Sequence, residues 1–291
     1  MLLVVVAGFP RTGTTLIYRL CYEILKDELG VGNLVGVFEP FNGEVVEATV
    51  LYSSVVHDVE GSIPHDFHML PKELQYLIIS NSKWFWTWML NCDYKEKYPW
   101  LGKKWSEILS WLHRLPNPVL LKDVHIWSML PQLVENYRET LFILTLRDLE
   151  SLNKAYQAWL RSYSLLRSLI KMAKRLFKKS RKPLSARICD AYLYSIRRWK
   201  VQSLFGLAAF HELLYGERPR VTLLDMVFGT VSTKLSNVLT RVYSRYEDVV
   251  KRVRHRENVL VIEYEDTMNI PAVREMLREA LRKTLAQVCR R

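Results

Sequence analysis

The sequence predicts an α/β protein with a mostly parallel central sheet and helices on both faces. Short aliphatic runs such as Leu2–Val6 suit strands that are buried on both faces of a parallel sheet. Segments with helical periodicity separate these runs, which is the pattern of strand–helix–strand units. The 291 residues, of which 49% are hydrophobic, are enough for one substantial core.

The first strand and the first helix enclose a glycine-containing loop. Leu2–Val6 is followed by a loop over residues 8–13, and helical spacing then runs over Thr15–Leu29. Gly30 follows as a helix-ending residue. This strand–loop–helix order is half of a βαβ unit.

Four further strands and several helices are predicted along the chain. The strands are Leu34–Phe38, Val119–Lys122, Leu141–Leu146 and Asn258–Glu263. The helices are Met129–Tyr137, a long helix over residues 150–180, a helix from Pro183 to about Tyr215, Ser236–Val253 and Ala272–Val288. Val221–Leu224 is either a strand or an extended connection.

Net charge, hydrophobic runs and cysteine spacing indicate which classes of partner the protein binds and which cellular compartment it occupies. The formal net charge of +12 attracts polyanions, which include nucleic acid, anionic lipid and ligands with several phosphates. No signal peptide or membrane-spanning run is evident, so a cytoplasmic protein, peripheral to a membrane at most, is expected. The cysteines form no CxxC motif and are predicted to be buried thiols in a reducing compartment: Cys21, Cys92, Cys189 and Cys289.

Two stretches are less regular and leave alternatives open. Residues 161–182 form an amphipathic basic helix, which is either a solvated face over a core stripe or a surface for anionic lipid or an acidic ligand. A tryptophan-dense stretch predicts helices packed into a core or, alternatively, an aromatic platform for an apolar ligand face. Its tryptophans are Trp84, Trp86, Trp88, Trp100, Trp105 and Trp111.

Residues 8–15, Gly-Phe-Pro-Arg-Thr-Gly-Thr-Thr, predict an anion site where the first helix begins. Backbone amides at a helix start converge on an anion, and the helix dipole favours negative charge there. Gly8 and Gly13 have the spacing of the GxxxxGK[ST] loop, which indicates a P-loop NTPase-like three-layer sandwich. Thr14 stands at the lysine position, and the positive charge lies inside the loop at Arg11. The loop is therefore predicted to bind one phosphate with a modified end rather than a metal-bound triphosphate.

Pro10–Thr15 resembles the 5′-phosphosulfate loop of sulfotransferases that use 3′-phosphoadenosine 5′-phosphosulfate (PAPS). The family form is Pro-[Lys/Arg]-Ser-Gly-Thr-Thr. The resemblance implies that Arg11 contacts the oxygen that bridges phosphate and sulfate. It also implies that backbone amides of the loop and two threonine hydroxyls hold the 5′-phosphate, through Thr12, Gly13, Thr14 and Thr15.

A second resemblance follows the strand Leu141–Leu146, which ends at Arg147-Asp148. Sulfotransferases have Arg-[Asp/Asn]-Pro here and a serine eight residues after the arginine, which implies that Arg147 binds the 3′-phosphate of PAPS. The proline and serine positions hold Leu149 and Ala155 in this chain, so one hydrogen-bond donor to the phosphate is absent. A structural ion pair at the strand end is the alternative.

The third signature lies at residues 258–267, which resemble the late family strand that ends Tyr-Glu-Asp-Leu. Its acidic residues are expected to pair with nearby cations, and Arg198-Trp199 is a weaker resemblance to a helix that approaches the nucleotide. The signatures occur in family order and are closest in style to carbohydrate and prokaryotic sulfotransferases. They predict a single domain over residues 1–291, with residues 43–118 and 161–256 as helical insertions on the acceptor side or as a lid.

Sulfuryl transfer to a hydroxyl needs a base for the acceptor's proton and cations for the leaving oxygen. Glu39 follows the second strand, and Glu39-Pro40 resembles the Glu-Pro of carbohydrate sulfotransferases. His125 follows the third strand and resembles the histidine of the cytosolic enzymes, one residue late and without their threonine. Glu39 is the favoured base and His125 the alternative, while Lys122 is expected to reach the sulfuryl oxygens.

The expected co-substrate is PAPS, and the expected acceptor is a small molecule, a glycan or a lipid. Nucleic acid is not an expected partner, and peripheral contact with an anionic membrane is left open. An acidic and histidine-rich stretch invites the interpretation of a metal site, but it contains no compact ligand motif and no metal is expected: His57, Asp58, His65, Asp66 and His68. The rival functions are a P-loop kinase or nucleotide-binding enzyme, and a basic nucleic-acid or membrane-binding module with a vestigial phosphate loop.

Overall fold

The computed structural model describes residues 2–9, 11–40, 55–58, 61–78, 99–124, 126–161 and 231–290. Its strands are β1 (Leu3–Gly8), β2 (Val35–Phe38), β3 (Val55–Asp58), β4 (Gly61–Pro64), β5 (Val119–Asp123), β6 (Leu141–Leu146) and β7 (Val259–Glu263). Five of them form one sheet in the order β2-β5-β1-β6-β7, and all four pairings are parallel. The predicted α/β three-layer architecture is confirmed.

Where the structure describes them, the predicted helices are found with ends shifted by up to five residues, whereas Pro99–Arg114 was not predicted as a separate helix. The helix predicted after Pro183 lies outside the described residues. The described helices are α1 (Thr14–Glu23), α2 (Pro99–Arg114), α3 (Leu130–Asn136), α4 (Leu149–Arg161), α5 (Val231–Val253) and α6 (Ile270–Cys289). A π-helical turn, Ile24–Glu28, continues α1, and residues 72–78 are also helical. Short 3₁₀ turns occur at Phe67–Met69, Ile126–Met129 and Tyr264–Met268.

The core on one face of the sheet lies between the strands and two helices. Alternate strand residues such as Val4 and Val6 are fully buried there. Helices α1 and α6 cover them with apolar side chains, including Ile17, Cys21 and Leu277. Cys21 is buried as predicted, but the prediction is wrong for Cys289, which is exposed because it stands at the outer end of α6.

The edge strand β2 is covered by the segment that follows the β3–β4 hairpin. The Asp66 amide donates to the Gly36 carbonyl at 2.6 Å, and the Gly36 amide donates to Asp66 Oδ2 at 2.9 Å. The Phe38 amide donates to His65 Nδ1 at 2.9 Å. These bonds satisfy backbone groups that an open sheet edge would otherwise expose. The hairpin itself was not predicted from the sequence.

The chain divides into two compact units, Met1–Leu149 with Thr240–Arg291, and Glu150–Leu239. In the second unit, the described residues belong to α4 and α5 and include an exposed ion pair between Lys154 and Glu150. No helix among the described residues is long and apolar enough to cross a membrane. Most of the predicted basic helix lies outside the described residues, and so do Trp84, Trp86 and Trp88.

Candidate functional site

The order in which strands are added to the sheet reverses at β1, and this creates a switch point at the carboxyl ends of the strands. From β1, in the centre, the chain first builds β2 and β5 on one side and later β6 and β7 on the other. In parallel sheets, ligands bind outside the carboxyl ends of the strands at such a switch point. The predicted phosphate loop, residues 8–15, follows β1 at this point, and Arg147 follows β6.

The phosphate loop is closed by hydrogen bonds between its own residues. Thr12 is fully buried, and both its amide and its hydroxyl donate to the Phe9 carbonyl, at 3.2 and 2.6 Å. Its Oγ1 also lies 2.6 Å from Thr145 Oγ1 on β6. The first intrahelical bond runs from the Ile17 amide to the Gly13 carbonyl, so the three amides before Ile17 precede the helical ladder. Backbone amides in this position at a helix start are able to bind an anion.

Both loop glycines are required by close contacts. A Cβ at Gly8 would lie 2.2 Å from Thr145 Oγ1, which is too close for any side chain. Gly13 has a φ of 90°, and a Cβ there would lie 2.8 Å from Cδ2 of Tyr264. The left-handed backbone and the tyrosine ring both exclude larger residues at this position.

Two predicted site residues have a backbone conformation that L-residues rarely adopt. Arg11 has a φ of 70° and Glu39 a φ of 42°. Such conformations cost of order 1–3 kcal/mol each and cluster at functional sites. The side chain of Arg11 is exposed and makes no hydrogen bond or ion pair with any described residue, so its charge is available to an anion.

Arg147 is joined directly to the phosphate loop. Its Nη1 donates to the Arg11 carbonyl at 3.0 Å, and its Cζ lies 3.8 Å from the centroid of the Tyr264 ring. The hydroxyl of Tyr243 on α5 accepts from the Arg147 amide at 2.8 Å and donates to the Arg147 carbonyl. The main chain and the guanidinium of Arg147 are therefore both held next to the loop.

A cluster of buried aromatic side chains packs against Phe9 of the phosphate loop. The Phe9 ring lies 5.3 Å from Tyr243, 6.0 Å from Tyr246 and 6.4 Å from Trp127, measured between ring centroids. All four side chains are almost completely buried. The Tyr246 hydroxyl donates to the Thr145 carbonyl at 2.6 Å, which ties this cluster to β6. Burial raises the pKa of Tyr246 well above its usual value, so the hydroxyl stays protonated.

Glu39 and Lys122 form a buried ion pair at the ends of β2 and β5. The Lys122 side chain is 2% exposed and the Glu39 side chain 15%, and Lys122 Nζ donates to Glu39 Oε1. The Glu39 amide also donates to the Lys122 carbonyl at 2.7 Å. Lys122 Nζ lies 4.3 Å from the Phe38 ring centroid, which adds a cation–π contact. Lys122 lies on β5, directly beside β1, where it is paired with Val6, and Glu39 follows β2, which is two strands or roughly 10 Å from β1.

His65 lies next to the end of β2, close to the Glu39–Lys122 pair, and its contact with this strand was not predicted from the sequence. The ring is fully buried, and its Nδ1 accepts from the Phe38 amide, which assigns the proton of the neutral ring to Nε2. Nε2 has no hydrogen-bond partner among the described residues. Burial and the nearby His68 lower the pKa of His65 to about 4, while Glu39 acts in the opposite direction.

Among the acidic residues of the tract 258–267, which were predicted to pair with cations, Glu265 contacts another acidic residue. The Asp148 amide donates to Glu265 Oε1 at 3.3 Å. Partial burial and the neighbouring Asp148 carboxylate raise the pKa of Glu265. Glu265 therefore contacts another acidic residue beside Arg147, because β6 and β7 are neighbours and end at the same level.

The first unit brings together most of the predicted site residues. The loop residues Arg11, Thr12, Gly13, Thr14 and Thr15 lie with Arg147, and Glu39 lies with Lys122 at the same edge of the sheet. His125 is outside the described residues, and Ala155 is on α4 in the second unit.

In the histidine-rich stretch that invited a metal-site interpretation, two residues form hydrogen bonds with the edge strand of the sheet. His65 and Asp66 hydrogen-bond to the backbone of β2, while His57 and Asp58 are described only as part of β3. Among the described residues, no group of three His, Cys, Asp or Glu side chains is arranged to hold a metal ion.

Comparison with known proteins gives this geometry no family name. No family model matches the chain. No curated protein and no solved structure matches it either.

Proposed function

We propose that the protein is a PAPS-dependent sulfotransferase that moves a sulfuryl group to an acceptor hydroxyl. The observation that carries the proposal is the 3.0 Å hydrogen bond from Arg147 Nη1 to the Arg11 carbonyl. It joins the residue expected at the 3′-phosphate to the loop expected at the 5′-phosphosulfate. A nucleotide with phosphates at both ends of its ribose fits two adjacent cationic sites better than a linear triphosphate does.

The nucleotide fits the residues that are present. The amides that precede Ile17 and the dipole of α1 favour a 5′-phosphate at the helix start. The exposed Arg11 guanidinium supplies positive charge for the bridging oxygen, on which negative charge builds as the sulfur–oxygen bond breaks. Thr14 takes the place of the lysine that a P-loop kinase uses on the outer phosphates.

The transfer step uses the ion pair at the ends of β2 and β5. The acceptor oxygen attacks sulfur, the bond between sulfur and the 5′-phosphate oxygen breaks, and that oxygen keeps the electron pair. Sulfuryl oxygens attract Lys122 Nζ away from Glu39, and the Glu39 carboxylate takes the proton of the acceptor hydroxyl. Glu39 is preferred as the base because its carboxylate is already oriented by Lys122 beside the carboxyl end of the sheet.

The acceptor class is a hydroxyl-bearing small molecule, glycan or lipid. The cytoplasm is the proposed compartment, because there the thiols of Cys21 and Cys289 stay reduced.

The test is calorimetric binding of adenosine 3′,5′-bisphosphate (PAP), the desulfated product, against ATP with magnesium. The wild type is expected to bind PAP and to prefer it over ATP. Arg147→Ala is expected to weaken PAP binding by about 10- to 100-fold, since a charge-assisted contact to phosphate contributes about 1.5–3 kcal/mol. Preference for ATP with magnesium would favour a kinase, and salt-sensitive nucleic-acid binding without PAP affinity would favour a basic binding module.

A further inference from the structure

Tyr264 lies between the phosphate loop and Arg147. It is the first residue after β7, and its ring faces Gly13, where a Cβ would approach ring carbons at 2.8 and 3.3 Å. The Arg147 guanidinium carbon lies 3.8 Å from the centroid of the same ring. One aromatic side chain thus contacts both the start of α1 and the arginine at the end of β6.

Contacts with Tyr264 and with the Arg11 carbonyl both hold the Arg147 guanidinium. The tyrosine face attracts the cation, while the Nη1 bond to the Arg11 carbonyl fixes one edge of the group. A guanidinium has five N–H groups in a rigid fork, so a group held in this way can still present N–H donors to a phosphate. An arginine whose orientation is set before binding loses less side-chain entropy when the ligand arrives.

Resting on the proposed function, we propose that Tyr264 is a positioning residue that holds Arg147 for the 3′-phosphate. It thereby makes the site prefer nucleoside 3′,5′-bisphosphates over nucleotides without a 3′-phosphate. The sequence gives a reason for this dependence, because Ala155 stands at the family's serine position and offers no hydroxyl. Recognition of the 3′-phosphate then rests on Arg147 and on the ring that orients it.

A purely structural role for Tyr264 predicts different behaviour. A ring that only fills the space beside Gly13 supports the phosphate loop, and its loss weakens every 5′-nucleotide equally. A ring that orients Arg147 affects only ligands with a 3′-phosphate. The ratio of the affinities for PAP and for adenosine 5′-monophosphate (AMP) separates the two roles.

The experiment is calorimetric titration of PAP and AMP into the full-length wild type, Tyr264→Phe and Tyr264→Leu. Tyr264→Phe keeps the aromatic face, so its PAP-to-AMP affinity ratio is expected to stay within about 2-fold of the wild type. Tyr264→Leu removes the face, and the ratio is expected to fall by about 5- to 30-fold through weaker PAP binding. Tyr264→Met, which also fills the space without an aromatic face, replaces Tyr264→Leu if the leucine variant does not fold.

A double-mutant cycle with Arg147→Ala completes the test. In that background, Tyr264→Leu is expected to leave PAP binding unchanged within about 2-fold, because the cation that the ring orients is gone. An unchanged PAP-to-AMP ratio in Tyr264→Leu, or equal weakening of both ligands, would overturn the role of Tyr264 and leave the proposed function standing. A wild type that does not prefer PAP over AMP would overturn both.

Discussion

The two ends of the candidate site hold their charges in different ways. On the proposed nucleotide side, defined by residues 8–15, Arg147 and Tyr264, Arg11 is exposed and Arg147 contacts a carbonyl and an aromatic face. On the proposed acceptor side, defined by Glu39, Lys122 and His65, the cation and the anion neutralise each other and are largely buried. Both sides lie at the carboxyl edge of one sheet, but one presents an exposed cation and the other a buried ion pair.

Under the proposed function, this difference would let one edge serve both binding and chemistry. An anion would reach Arg11 without breaking an ion pair among the described residues. The Lys122–Glu39 pair would have to open before Lys122 could contact sulfuryl oxygens or Glu39 could take a proton, because the two groups are hydrogen-bonded to each other. Changes on the nucleotide side should therefore alter affinity, whereas changes on the acceptor side should alter stability and turnover.

The largest expected effect on stability comes from Lys122→Met. The substitution leaves the mostly buried Glu39 carboxylate without its cation, and removing one partner of a buried pair costs about 3–5 kcal/mol. We expect the free energy of unfolding in urea to fall by about this amount.

Two control variants sharpen this result. Glu39→Gln combined with Lys122→Met removes both charges of this pair and should be more stable than Lys122→Met alone. Arg147→Ala, on the nucleotide side, should lose about 1 kcal/mol or less while it loses PAP affinity. Equal destabilisation by Lys122→Met and Arg147→Ala would contradict the contrast between the two sides.

A smaller effect concerns the pH dependence of stability at His65. Its pKa is lowered to about 4 by burial, whereas a histidine in the unfolded chain titrates near 6.5. The unfolded state therefore binds more protons between these values, and stability falls as pH decreases through this window. The expected loss from this one group is about 2 kcal/mol between pH 7 and pH 5.

His65→Asn isolates that contribution. Asparagine Oδ1 can still accept from the Phe38 amide, but the side chain does not titrate. Unfolding curves at pH 7 and pH 5 should show a smaller pH-dependent loss in His65→Asn than in the wild type. The same pH dependence in both proteins would mean that His65 is not buried in its neutral form.

The sheet was predictable because its strands are continuous aliphatic runs. Leu141–Leu146 agrees with β6 at both ends, and Asn258–Glu263 differs from β7 by one residue. The β3–β4 hairpin was missed because its strands have four residues each and mix polar with apolar side chains. Four-residue strands without alternation carry too little periodicity to be distinguished from turns.

Within the candidate site, contacts between residues that are distant in sequence could not be predicted from the sequence. Strand-end positions predicted that Glu39 and Lys122 would share an edge, but their pairing depends on β2 lying next to β5. The contact of Tyr264 with Arg147 similarly requires β6 and β7 to be neighbours. His65 covers the edge of β2 through a hydrogen bond to its backbone, and backbone bonds of this kind have no sequence signature.

Sulfuryl transfer with Glu39 as the base can be measured directly with PAPS labelled with ³⁵S. Wild type and Glu39→Gln are incubated with the labelled donor and a panel of phenols, sugars and glycolipids, and labelled product and PAP are quantified. We expect transfer by the wild type and at least a roughly 100-fold slower rate in Glu39→Gln, with unchanged PAP affinity. No transfer by a wild type that binds PAP, or an undiminished rate in Glu39→Gln, would contradict this expectation.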